Sequence, residues 1–305
     1  MTNPNRQQRG GQRAPAAVRL HAFPDSLALA RQLAKALRLP LQPVALSRFP
    51  DGESLVRVDH PRGADAVLFR SLYDPNAKLV EVILAADALR HAGARRLTLV
   101  APYLPYMRQD HVFAPGEPVS QRIIGALLGG LFERVLTIEA HLHRIRRLSE
   151  VVPGAARSLS AAPALADWVA RHAPGALLVG PDAESAPWVR AVARRAGVDW
   201  VVGEKERLGA RRVRLTLPPL PACRRAVLID DIASSGATLA AAARALRRAG
   251  VATVDVAVVH AIFAPGALDR IRRAGVRRVV SCDTIPHPTN AIGVAPLLAA
   301  ALRGR

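Results

Sequence analysis

The chain has 305 residues, half of them hydrophobic, and a formal net charge of +19. That length predicts about two domains of roughly 150 residues each, and no apolar run reaches the ~20 residues that would span a bilayer. Two cysteines, Cys223 and Cys282, lie too far apart for a disulfide framework or a zinc spacing, which fits a reducing, cytoplasmic setting. The positive charge is almost all arginine, scattered in pairs such as Arg95-Arg96, Arg194-Arg195 and Arg247-Arg248, and aromatics are 4% of the chain. This describes solvated helix faces that attract anionic substrates better than a stacking surface for nucleic acid.

Residues 1–15 are polar, lack a hydrophobic segment and read as a disordered tail rather than a secretory signal. Beyond them short apolar strands alternate with amphipathic or Ala-rich helices, the pattern of an α/β fold with mostly parallel sheets. Strands are predicted over 18–22, 66–69, 96–101, 134–138, 175–179, 200–203, 225–229, 253–259 and 278–281. Helices are predicted over 26–38, 79–92, 120–131, 162–171, 186–196, 238–249, 266–274 and 294–302. A boundary at Pro153–Gly154 divides residues 16–152 from 153–305, with the last helix expected to pack back on the first of these. The segment Arg48–Val58 reads as a hairpin turning at Pro50-Asp51-Gly52.

The most informative run is Val227 to Leu239, an apolar strand leading into Asp230 and Asp231, then Ile232, Ala233, Ser234, Ser235, Gly236, Ala237 and Thr238. Strand ends carry ligand sites in open α/β sheets. A loop of small residues before a helix leaves N–H groups free for an anion. Two acids beside such a cradle suit a sugar phosphate, the acids on hydroxyls or a metal and the loop on the phosphate. A plain βα turn with N-capping side chains accounts for one Asp and one Ser only.

Other segments are ambiguous taken singly. Phe49, Asp51 and Glu53 offer an aromatic face and acceptors for a base, or simply an Asp-Gly turn with a packed Phe. Arg108, Gln109 and Asp110 follow a Pro/Tyr loop, where Arg can fork onto phosphate oxygens or sit on a surface turn. His141, two residues after Glu139, can bind a divalent metal or be a solvated histidine beside His143. Asp182, after a strand, can help hold magnesium, cap the next helix, or both. Lys205 stands out because only Lys35 and Lys78 accompany it in a chain that otherwise uses arginine. A compact ammonium serves a developing phosphoryl charge differently from a planar guanidinium. Arg207, two residues on, shares its face on a strand, and Leu208–Arg212 reads as a mobile lid. No P-loop pattern or nucleophile elbow occurs.

In order, Arg48–Glu53, Tyr103–Asp110 with Glu117–Ser120, Glu139–His143, Gly180–Ser185, Gly203–Arg207, Asp230–Thr238 and the terminal Thr284-Ile285-Pro286 with Pro288-Thr289-Asn290 resemble the ribose-phosphate pyrophosphokinase family over roughly residues 18–303. The resemblance implies two type I phosphoribosyltransferase-like domains and transfer of the diphosphoryl group of ATP to ribose 5-phosphate with Mg2+. It implies ribose 5-phosphate on Asp230, Asp231 and Ala233–Thr238, and ATP on Phe49, Asp51, Glu53, Arg108, Gln109 and Asp110, often with a neighbouring subunit contributing. It also implies metal on His141 and Asp182, catalysis by Lys205, Arg207 and His141, and a homo-oligomer of two to six subunits. The chain departs from the family at Glu139, where Asp is common, at Glu184-Ser185, where glycines are frequent, and at Ser234, often a third Asp. These departures predict altered metal geometry and altered phosphate contacts. The departures at Glu139 and Glu184-Ser185 also keep a non-catalytic regulatory homologue in view, and the phosphate loop alone would equally suit a phosphoribosyltransferase.

Overall fold

A computed structural model describes residues 18–60, 63–207 and 213–304, without side chains at 205–207, 213 and 214. The expected 1–15 tail and the Leu208–Arg212 segment lie outside the described residues.

The first half contains β1 (Val18–Ala22), α1 (Leu27–Leu37), β2 (Leu41–Pro43), β3 (Ala45–Arg48), β4 (Ser54–Arg57), β5 (Asp65–Phe69), α2 (Pro75–His91), β6 (Leu97–Val100), α3 (Ser120–Leu131), β7 (Arg134–Ile138) and β8 (Ala155–Leu159). Six of these strands form a parallel sheet in the order β2-β1-β5-β6-β7-β8. The second half contains α4 (Ala162–His172), β9 (Leu177–Gly180), α5 (Ala186–Ala196), β10 (Trp200–Val202), β11 (Glu204–Arg207), β12 (Val213–Thr216), β13 (Arg225–Ala233), α6 (Ala237–Arg248), β14 (Thr253–Ala261), α7 (Ala267–Arg273), β15 (Val276–Cys282), β16 (Asn290–Ile292) and α8 (Ala295–Arg303). Its parallel sheet runs β10-β9-β13-β14-β15-β16. Two antiparallel hairpins stand apart, β3–β4 and β11–β12. The predicted 48–58 hairpin is therefore present, its strands joined through Gly52 at φ +95°.

Strand β8 corrects the domain boundary. It pairs with β7 from Arg134↔Ala155 to Ile138↔Leu159, so the chain leaves the first sheet after Leu159, not at Pro153–Gly154. Three other short strands, β2, β12 and β16, also lack a signal in the sequence. Strands of three to five residues carry too little alternation to separate from loop, and their pairing supplies what local pattern lacks.

Each strand sends alternate side chains to two layers. Ala66 and Leu68 pack with α2, whereas Val67 and Phe69 face a second cluster shared by both sheets. Likewise Leu228 packs toward α6 while Val227 and Ile229 join the shared cluster. Helices α1, α4 and α8 contribute Leu33, Leu165, Trp168 and Leu298 to that layer. The last helix returns to the first half, where the Arg134 Nη2 donates to the Ala301 carbonyl at 2.6 Å. With both faces of both sheets covered, the central strands read as near-continuous apolar runs.

His21 on β1 is fully buried, and neither ring nitrogen has a hydrogen-bond partner. Burial pulls its pKa from 6.5 down to about 4, so it is neutral when folded. Once unfolded it takes up a proton below 6.5, so this contribution to stability is complete above 6.5 and falls away as pH drops toward 4. From about pH 7.5 to about pH 5 this one residue should cost about 2 kcal/mol. Urea denaturation at both pH values will show His21→Leu flattening the pH dependence by that amount; an unchanged slope contradicts the assignment.

Candidate active site

Both sheets present their carboxyl ends to one cleft of about 720 Å³. From the first half it is lined by Arg108, the residues following β7 and the end of β8; from the second, by the segment after β9 and by Asp230–Leu239. Strand β13 runs four residues past its predicted end, to Ala233. Asp230 and Asp231 therefore sit on a paired strand, with Asp230 in register with Val258 of β14. The loop then turns through Gly236 at φ +70° into α6. A side chain at Gly236 would stand 3.0 Å from the Ala267 carbonyl and from Ile271, so glycine is required for both conformation and space. The helix begins at once at Ala237, and the Ser235 hydroxyl accepts from the Ala237 N–H at 3.4 Å. The Ser235 carbonyl is held by Arg270 Nη1 at 2.5 Å.

Across the cleft, His141 Nδ1 lies 2.7 Å from Asp231 Oδ2, and His143 Nε2 lies 3.0 Å from the same His141 nitrogen. The two rings meet edge to face with centroids 3.8 Å apart. Burial pushes the Asp231 carboxyl up, but the His141 hydrogen bond and neighbouring imidazole charge outweigh it, leaving the pKa below the usual carboxylate value. Among the described residues, His141, His143 and Asp231 form a set whose ligand atoms all lie within 4.8 Å of one another. The sequence does not single out His143 as a ligand, although His-x-His puts alternate residues of an extended segment on one side.

Glu139, the longer acid two residues before His141, is engaged by donors outside the ligand set. Glu139 Oε1 accepts from Ser160 Oγ, from the Ala161 N–H and from Trp188 Nε1 at 2.7, 2.7 and 2.8 Å. Burial raises its pKa against the pull of those donors. Its backbone is left-handed, φ +37°, and its carbonyl, with that of Ile138, faces His260 Nε2 at 3.2 and 3.1 Å. Buried His260 is held down to about 4 by desolvation, so its Nε2–H donates to those carbonyls as a neutral imidazole.

The other predicted residues divide. Arg108, His141, Asp182, Asp230, Asp231, Ala233, Ser234, Ser235, Gly236, Ala237 and Thr238 all line the cleft. Asp182 stands outside the three-residue ligand set, and one of its oxygens accepts from the Ser185 N–H at 3.3 Å, as a cap does. Phe49, Asp51 and Glu53 do not line this cavity. They sit on the exposed β3–β4 turn, where Asp51 Oδ1 accepts from the Glu53 N–H. Gln109 and Asp110 are likewise tied locally: Ser120 Oγ donates to Gln109 Oε1, and Asp110 pairs with His111 and Arg144. Lys205 and Arg207 lie on β11, opposite Leu215 and Val213 of β12. In place of glycines, Glu184 reaches toward His143 Nδ1 at 3.6 Å, and Ser185 Oγ donates to the Asp182 carbonyl at 2.5 Å.

With this geometry in place, comparison with known proteins is decisive. A family model for the N-terminal domain of ribose phosphate pyrophosphokinase matches residues 18–130, and one for the phosphoribosyl transferase domain matches 157–297. The chain belongs to the ribose-phosphate pyrophosphokinase family. Ribose-phosphate pyrophosphokinase from Methanopyrus kandleri is 34% identical over 285 residues, 92% of this chain and 97% of the relative. The Thermococcus kodakarensis protein of the same name is 35% identical over 84% of this chain and 90% of its own. Among solved structures, phosphoribosylpyrophosphate synthetase from Mycobacterium smegmatis superimposes with a TM-score of 0.82 at 27% identity, covering 94% of this chain and 98% of that one.

The Glu139 carboxylate serves three donors, so Glu139→Ala should destabilise the protein by about 3 kcal/mol and Trp188→Phe by about 1 kcal/mol in urea titrations. Losses below about 0.5 kcal/mol in both would show that these bonds do not hold the halves together.

Proposed function

We propose that the ribose-phosphate pyrophosphokinase activity of this chain, transfer of the diphosphoryl group of ATP to the anomeric hydroxyl of ribose 5-phosphate with release of AMP, takes place between β13 and the segment after β7. The observation that carries this is the 2.7 Å approach of His141 to Asp231 across the halves, directly beside an acid–acid–small-loop cradle. Ribose 5-phosphate would lie on the second half. The N–H groups of Ser235 to Thr238 would meet its phosphate, and Asp230 and Asp231 its hydroxyls. Arg108, on the cleft wall, would fork onto phosphate oxygens of ATP.

A divalent cation, Mg2+ by family resemblance, would be held on the cleft wall by His141 and Asp182, with the Asp231 carboxylate facing them. When bound it would offset charge on the transferring phosphates. Lys205 and Arg207 supply the remaining positive charge from β11. In phosphoryl-type transfer, catalysis is positioning and charge stabilisation rather than covalent chemistry.

The exposed Phe49–Glu53 turn supports contribution of the adenine site to a neighbouring subunit, because it does not line the chain's own cleft. Exposed Leu55, Val80, Ile123 and Leu127 in the first half support a homo-oligomer built there. Both cysteines are free thiols, and no helix among the described residues is long and apolar enough to cross a membrane; a cytoplasmic setting follows the family.

A phosphorus NMR time course with Mg2+, ATP and ribose 5-phosphate should show AMP together with a sugar-linked diphosphate, and neither when ribose 5-phosphate is omitted. No turnover across nucleotides and divalent metals would overturn the catalytic reading in favour of a ligand-binding homologue. Lys205→Ala should lower kcat by about 100-fold or more while ribose 5-phosphate still binds. Near-normal turnover would remove Lys205 from the mechanism.

A further inference from the structure

The ring nitrogen that joins the two halves has one bonding site in the ring plane and two partners competing for it. His141 Nδ1 is 2.7 Å from Asp231 Oδ2 and 3.0 Å from His143 Nε2. A ring nitrogen carries either one proton or one lone pair. Protonated, it satisfies Asp231 and cannot accept from His143. Unprotonated, it accepts from His143 while its lone pair faces a carboxylate. Hydrogen bonding alone therefore leaves one of the two close contacts unsatisfied. A cation shared by all three atoms satisfies both contacts.

The surroundings prepare His143 for that role. Its other ring nitrogen, Nδ1, faces Glu184 Oε2 at 3.6 Å. A carboxylate on the far side of a ring favours the tautomer with its proton there and a lone pair on Nε2, and a small approach from this ion-pair distance would make the bond found behind metal-binding imidazoles. The ligands also come from separate elements, His141 and His143 from the segment after β7 and Asp231 from β13. An ion there would connect the two sheets.

We infer that His143, oriented by Glu184, is the third ligand of a two-imidazole, one-carboxylate divalent cation site with His141 and Asp231, and that this site prefers first-row transition ions such as Co2+ or Zn2+ over Mg2+. The preference comes from ligand chemistry. Mg2+ takes oxygen ligands and gives up water reluctantly, whereas imidazole nitrogens favour the later first-row ions. The site rests on the proposed reading of the cleft, yet the ligand geometry is the same whether or not sugar phosphate is the substrate. His143 and Glu184, idle in the reaction scheme, thereby gain a role.

The test is binding of the metal alone to the full chain, without nucleotide or sugar. Co2+ followed by visible d–d absorption and calorimetry should bind stoichiometrically, at least about tenfold more tightly than Mg2+. His143→Ala should weaken Co2+ binding by about 10- to 100-fold and change the d–d spectrum. Glu184→Gln should weaken it by about tenfold, with both variants melting as the parent does. Mg2+ binding equal to Co2+ binding, or an unchanged spectrum and affinity in His143→Ala, would overturn the assignment. Turnover is a separate measurement. Co2+ binding without pyrophosphokinase activity would leave this site in place and remove the catalytic reading, and the reverse result would do the opposite.

Discussion

The cleft exists because two strand ends from different halves are held edge to edge. At the end of β7 the carbonyls of Ile138 and Glu139 receive the His260 ring from β14. The Glu139 side chain meanwhile accepts from Ser160, Ala161 and Trp188. The His260 ring is buried and the Glu139 carboxylate half-buried, so a donor or acceptor left without its partner there would carry a desolvation cost. The left-handed backbone at Glu139 is the local cost of serving both. His141 and His143, just beyond Glu139 in the chain, are thereby aimed at Asp231. The shared apolar layer of α1, α4 and α8 makes the apposition broad, and these polar contacts fix where along it the strand ends meet.

How much of this is legible in the sequence depends on whether a residue's role is local. The cradle from Asp230 to Thr238 can be read because acids, hydroxyls and glycine are consecutive and do their work within one strand, loop and helix start. The central strands can be read because burial on both faces writes an unbroken apolar run. Strand β8 cannot. Its five residues, Ala155–Leu159, gain strand character only by pairing with β7, about twenty residues earlier in the chain. Helix α8 is legible as a helix, expected to pack back on the first half, but its partner there, Arg134, lies 167 residues away in the chain. Glu139 is legible as an acid near a histidine, and its real partners are 21, 22 and 49 residues away. His143 needs Asp231, from the other sheet, before it can be more than a second histidine.

The departures at Glu139 and Glu184 take on different meanings once placed. Glu139 is longer than aspartate, and the extra methylene lets its carboxylate reach across to Ser160 and the Trp188 ring nitrogen. It acts as a structural acceptor between halves. Glu184 stands on the cleft wall and places a negative charge behind His143. Ser185 folds back on the Asp182 carbonyl, so the backbone there is braced by a side-chain bond where glycines would leave it open. None of these residues disturbs the cradle itself, whose Gly236 has no room for a side chain. Glu139, Glu184 and Ser185 lie on the wall that would meet the nucleotide and cation, and Ser234 is the one departure on the floor that would hold the sugar phosphate.

This division bears on how the reaction can be driven. The floor is rigid: β13 is a central strand, and the loop after it is tied by Arg270 and closed by the first turn of α6. The residues nominated to stabilise the transferring group, Lys205 and Arg207, are instead on the two-stranded β11–β12 hairpin, which belongs to neither sheet. A two-stranded hairpin has little stability of its own. Positive charge delivered from such an arm need not repel the surrounding arginines permanently. It is needed only when about five to six negative charges of triphosphate and sugar phosphate share the cleft at neutral pH. Leu215 of β12 is nevertheless buried in the apolar cluster under α6, and it is the residue opposite Lys205 in the hairpin. The helix that closes the floor thus also seats the strand that pairs with β11, so charge brought by Lys205 and Arg207 would come from a segment anchored beside the sugar phosphate.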